Sequence, residues 1–290
     1  MSDCRWYHAA SVLLNGNVLI AGGCSYNDND VSDEAEIYET STGFWLPTSS
    51  MNEKRFSHTA STLHNGKVLV VGGRDDNSFA SAELYDPKAE SWTFTEKMSY
   101  GRVLHTATVL KNEKVLITGG YDSKSNSLNN VEIFDPSTET WKIVKSMNYQ
   151  RYSHTATLLP NGKVLVTGGV DDHGNILNTT ELFDPIKESW IITGNMNKKR
   201  YEHTTSLLTD GKVLVSGGNI PKGIVSNSAE LYDISTGIWT NTNNMHYERT
   251  SHTATVLKDG SVLVIGGSEL NNATAFIPEI YNSSINAYIN

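Results

Sequence analysis

Cysteine is scarce in this chain, with only Cys4 and Cys24 among 290 residues, so no disulfide framework can carry the fold. Basic runs are missing as well. The formal charge is -9, with 23 Lys and Arg against 32 Asp and Glu, whereas a general nucleic-acid binder needs a concentrated cationic face. No apolar stretch approaches the roughly 18 residues that span a membrane. The opening Met1-Ser-Asp-Cys-Arg-Trp-Tyr also lacks the charged-then-apolar pattern of a secretory leader. These absences predict a soluble protein, cytoplasmic by default, that engages neither nucleic acid nor membrane. Sustained helical periodicity is absent too, which leaves strands and turns.

What the chain does have is a repeat. An Arg-x-x-His element recurs about every 49 residues, at Arg5/His8, Arg55/His58, Arg102/His105, Arg151/His154, Arg200/His203 and Arg249/His252. Each copy continues to a diglycine (Gly22-Gly23, Gly72-Gly73, Gly119-Gly120, Gly168-Gly169, Gly217-Gly218, Gly266-Gly267). A Glu-x-aromatic follows, from Glu36/Tyr38 to Glu279/Tyr281, and then Trp45, Trp92, Trp141, Trp190, Trp239 or, in the last copy, Tyr288. Self-similarity at this period marks a repeat architecture, in which no single unit can bury its own apolar face.

Four strands can be read within a unit. His-Thr-Ala-Thr and Lys-Val-Leu-Val are β-branched and apolar, and the pairs between them, Asn15-Gly16, Asn161-Gly162 and Asp210-Gly211, suit a two-residue type I′ hairpin. That turn sets His8 opposite Gly23, His154 opposite Gly169, His203 opposite Gly218, and Tyr7 opposite Cys24. The bare diglycine would let the His of strand one and the Glu of strand three approach each other across strand two. The third strand carries the Glu-x-aromatic and the fourth the Trp, with large rings expected at the interfaces between sheets.

A four-stranded unit of about 50 residues bearing diglycine, Tyr and then Trp resembles the kelch repeat. The His-Thr-Ala-Thr and Asn-Gly-Lys-Val-Leu-Val-x-Gly-Gly variant is most similar to blades of the galactose oxidase central domain. The resemblance implies an all-β fold, one six-bladed propeller domain over residues 1–290. Its antiparallel four-stranded blades would cover about 1–50, 51–97, 98–146, 147–195, 196–244 and 245–290.

Groups common to every blade are explained first by packing, so the histidines and aromatic rings are assigned to structure. The arginines have a second reading. In similar kelch domains that capture acidic peptides, arginines at this place contact the ligand. The resemblance therefore implicates Arg5, Arg55, Arg102, Arg151, Arg200 and Arg249 as an anion-attracting ring, set against pairing with the repeat Glu. Variable loops after the diglycine add Asp75, Asp76, Asp122, Asp171, Asp172 and His173 as candidate binding residues. Neighbours such as Asp171, Asp172 and His173 cannot all face one ion, so no metal site and no cofactor are expected. Nucleophile elbows, phosphate loops and zinc-protease motifs are absent, and the copper ligands of galactose oxidase find no matching positions. The expected function is a non-catalytic scaffold, monomeric, binding a protein or peptide on its loop face. The alternative is a carbohydrate-active protein of the galactose oxidase or sugar-epimerase kind.

Overall fold

The computed structural model of the protein describes residues 4–25, 30–75, 80–268 and 277–289. Two compact units make up the chain, Met1–Val144 and Lys145–Asn290. Each unit holds three four-stranded antiparallel sheets, and no helix occurs among the described residues. The six sheets are the blades of a six-bladed propeller.

In the first unit the leading blade runs Ala9–Val12, Val18–Ala21, Ala35–Glu39 and Phe44–Pro47, paired in that order. The second unit opens with Thr155–Leu158, Val164–Thr167, Thr180–Asp184 and Ser189–Ile192. The second strand of a blade is flanked by pairing partners and covered on its faces, so it tolerates an unbroken apolar run: every residue of Val68–Val71 and of Val115–Thr118 is buried.

The hairpin register differs from the expected one by one residue. Ala9 pairs with Ala21 and Trp6 with Cys24, which brings Gly22, not Gly23, opposite His8. The cause is the turn. Leu13 N–H donates to Asn17 O (2.8 Å) and Gly16 N–H to Leu13 O (2.9 Å), closing three residues rather than two. Only Gly16 takes positive φ, at 87°, whereas a type I′ turn needs both central residues there. Asn15 instead accepts the Asn17 N–H on its side chain, and Asn161 and Asp210 do the same for Lys163 and Lys212.

Neighbouring blades meet through large rings. Tyr85 and Trp92 of the second blade, 4.9 Å apart, pack with Leu13, Leu19 and Ala21 of the first. In the second unit, Tyr232 and Trp239 do the same against Leu159 and Leu165. Each of these indoles also donates its N–H to a carbonyl at the end of the preceding blade: Trp92 to Ser49 and Trp239 to Gly194, both 2.8 Å. Buried aromatic rings with a polar tip need such a partner.

Candidate functional site

The diglycine end of each blade gathers the repeat Arg, His and Glu. Arg102 reaches back over its own sheet, donating from one guanidinium nitrogen to the carbonyls of Gly119 (2.8 Å) and Asn130 (3.0 Å). The other nitrogen donates to Glu132 Oε1 at 2.8 Å. The carboxylate then takes the backbone N–H of Ser99 (2.8 Å) and Tyr100 (3.3 Å), from the connection that leads into the blade. Equivalent ion pairs join Arg55 to Glu83 (2.7 Å), Arg151 to Glu181 (3.0 Å), Arg200 to Glu230 (2.8 Å), Arg249 to Glu279 (2.7 Å) and Arg5 to Glu36 (3.1 Å). Burial drags the Arg102, Arg151 and Arg200 guanidiniums down in proton affinity, and their glutamates oppose it. Arginine starts so high that it stays cationic at neutral pH.

This geometry corrects the anion-ring reading. Arg55, Arg102, Arg151, Arg200 and Arg249 have no exposed surface, and Arg5 has almost none. Their charge is spent on carbonyls and carboxylates inside the blade, leaving nothing to present to an acidic ligand.

His58, His105, His203 and His252 face a neighbouring blade, not the Glu of their own. A Cβ on Gly22 would lie 2.4 Å from Arg55 O and 2.8 Å from His58 Cε1, and one on Gly217 would lie 2.5 Å from Arg249 O and 2.6 Å from His252 Cε1. The first glycine of each such pair is thus a cradle for the next blade, whose Arg carbonyl also accepts from the second glycine, as Gly23 N–H to Arg55 O at 2.9 Å. Thr59 and His105 Nε2 hydrogen-bond at 2.9 Å, and Thr204 and His252 Nε2 likewise. Burial and the adjoining Arg55 cation push His58 down to about 3; burial and Arg249 do the same to His252.

Between Arg and His lies a residue held at positive φ in every blade: Tyr7, Ser57, Leu104, Ser153, Glu202 and Ser251, all between 50° and 54°. Successive blades join here through the backbone. Ser57 N–H donates to Tyr7 O (3.0 Å), Glu202 N–H to Ser153 O (3.1 Å) and Ser251 N–H to Glu202 O (3.0 Å). The side chain at this place varies. Tyr7 and the adjacent Trp6 are more than half exposed, and the Tyr7 and Phe56 rings lie 6.2 Å apart with Arg74 stacked over Phe56.

In the second unit the same place is polar. Glu202 Oε2 accepts from Asn219 Nδ2 (2.9 Å), Ser251 Oγ (3.1 Å) and Thr250 Oγ1 (3.3 Å). Burial and the Glu202 charge raise the Tyr201 hydroxyl. Sequence reasoning missed Glu202, although the signal was there: one glutamate at a place that is Ser in three blades.

The loop acids sort differently. Asp122 Oδ1 accepts the N–H of Lys124 and Asn126, both at 2.9 Å, and Asp171 Oδ1 those of His173 (3.0 Å) and Asn175 (2.8 Å). Both tie their own turns, and although burial raises them, the Asn126 and Asn175 bonds bring each below the usual carboxylate range. Asp172 contacts Gln150 Nε2, with the exposed His173 4.0 Å away. Asp75 is exposed, and Asp76 lies outside the described residues. Cys4 and Cys24 are both free thiols.

Six four-stranded blades, each with the buried Arg–Glu pair and a stacked pair of aromatic rings, define a kelch-type β-propeller. Residues 18–273 match the Attractin/LZTR1 beta-propeller family, and the chain belongs to it. Among solved structures it is similar to YjhT, at 15% identity and TM-score 0.78, over 98% of this chain and 97% of that one. It is likewise similar to a fungal alcohol oxidase of the AA5 family in complex with copper, at 19% identity and TM-score 0.79, over 98% of this chain and 64% of the oxidase. No curated protein matches. These likenesses are of fold. The residues present do not fit a copper centre: among the described residues no three His, Cys, Asp or Glu side chains converge, and five of the six repeat histidines are buried between strands.

Proposed function

We propose that the protein is a non-catalytic kelch propeller that binds another protein or a peptide, as a monomer, through the diglycine ends of its blades. One observation carries the reading. The arginines and glutamates common to all blades are buried and paired with one another, while the residue held between Arg and His is Tyr, Ser, Leu or Glu depending on the blade and reaches the surface. A fixed backbone with variable exposed side chains is the arrangement of a recognition surface. Exposed aromatic rings such as Trp6 and Tyr7 add the composition of a protein contact.

Crosslinking in cells that express the protein tests this. Lys54, Lys124, Lys198 and Lys222 stand exposed on loops at the diglycine ends, whereas Lys67, Lys163 and Lys212 follow the hairpin turns at the opposite ends. Partner peptides joined to the first set are the expected outcome. Crosslinks confined to the second set, or turnover of an alcohol or sugar by the purified protein, would overturn the reading.

A further inference from the structure

Every repeat glutamate has an arginine, and among the described residues Glu202 has no cation partner. No Lys, Arg or His nitrogen among the described residues comes within 4.0 Å of its carboxylate, in a chain whose formal charge is already -9. Its Oε2 is filled by the three donors from Asn219, Thr250 and Ser251. Oε1 accepts no hydrogen bond among the described residues. The backbone beneath is pinned on both sides, to Ser153 O and from Ser251 N–H. Its flanking equivalents are both serines, too small to cover it.

From this we infer that Glu202 anchors a lysine side chain of the bound partner. A carboxylate oxygen carries about two lone pairs, so three donors saturate Oε2 and leave a single oxygen for the ligand. A guanidinium binds best across both oxygens of a carboxylate, whereas an ammonium is a point charge satisfied by one. Holding the carboxylate rigid before binding removes an ordering cost that a flexible surface glutamate would incur. The inference rests on the proposed binding role and names the chemistry of the partner at one point.

The probe is a short lysine-containing peptide with blocked ends, titrated against the full chain while backbone amide shifts are followed by NMR. Shifts should concentrate at Ser153, Glu202, Asn219 and Ser251, and acetylating the lysine should abolish them. Glu202→Ser installs the residue that three other blades hold there, so the fold is retained, and it should weaken binding about tenfold or more. Ser153→Leu keeps the charge but covers the carboxylate; Leu104 already occupies the equivalent place, and binding should again be lost. Equal shifts with the acetylated peptide, unchanged affinity in Glu202→Ser, or no shifts at millimolar peptide would overturn the inference. Crosslinks at the diglycine ends together with any of these results would leave the binding reading standing and remove only the lysine.

Discussion

Arg55 and Glu83 lie 2.7 Å apart with neither side chain exposed, and the carbonyl of Gly72 takes the other end of the same guanidinium at 2.6 Å. The pair ties strand one to strand three across the diglycine that separates them. What recurs six times in the sequence is therefore an internal brace.

Breaking that brace on one side should be costly. Glu132→Ala strands the fully buried Arg102 cation without its counter-charge, and a loss of about 3–5 kcal/mol is expected. Replacing both partners, as Arg102→Met with Glu132→Leu, should recover only part, because the carbonyls of Gly119 and Asn130 then lose their donor. Urea unfolding midpoints of the two proteins check the order.

Glycine position matters more than glycine conformation. Gly72→Ala would put a methyl group 2.5 Å from Arg102 O, while Gly174→Ala meets nothing within 4 Å although both have positive φ. Roughly 3 kcal/mol is expected for the first and about 1 for the second. Thermal melts of the two single variants should separate them clearly.

Stability should fall as pH drops below neutral. His58 and His252 are held near 3 when folded against an ordinary value of 6.5, so between these limits the unfolded chain binds more protons. Their contribution is complete above about pH 6.5 and is lost as pH falls, with His58 alone costing about 2 kcal/mol at about pH 5. Unfolding midpoints over this range should slope downward, and His58→Gln should flatten the slope even where it lowers the midpoint. Depressed carboxylates such as Asp122 and Asp171 add a slope of the same sign below about pH 5, so the histidine contribution is read between about pH 5 and 6.5.

Indole hydrogen bonds can be separated from ring packing. Trp239→Phe retains a ring against Leu159 and Leu165 but drops the bond to Gly194 O, for about 1 kcal/mol. Trp239→Ala should cost about 3–5 kcal/mol. Chemical unfolding of the pair gives the comparison.

The two thiols should react at different rates. Cys4 is exposed, while Cys24 is half-buried, pairs opposite Trp6, and has its thiol raised by burial. Mass spectrometry after brief alkylation should find Cys4 modified first.

Much of this was legible because a repeat states its own rules six times. The Arg–Glu pair could be anticipated from a spacing close to 30 residues in every copy, and the Tyr/Trp stack from its recurrence in each unit. Contacts between blades were less legible. His58 packs on Gly22, and nothing within one repeat says that its partner lies in the preceding one. The hairpin failed for a local reason: Asn15-Gly16 permits a two-residue turn, but the Asn15 side chain caps Asn17 and favours three. The arginines invited a ligand role through their place in the repeat, where similar kelch domains contact acidic peptides, and only burial shows that their charge is already paired.

The cradle at the first glycine has a consequence for how such chains lengthen. In these pairs one blade offers bare glycine and a backbone N–H on one side, and the next brings an arginine carbonyl and an imidazole to meet them. A tandem copy of some 49 residues inserted at any such joint brings its own plug and its own socket, so the neighbours it parts are rejoined without a single compensating change. Deleting the segment after residue 244 does the reverse: Gly217 and Gly218 would lose what fills them, and a shortened chain would carry an open socket that suits another molecule's plug.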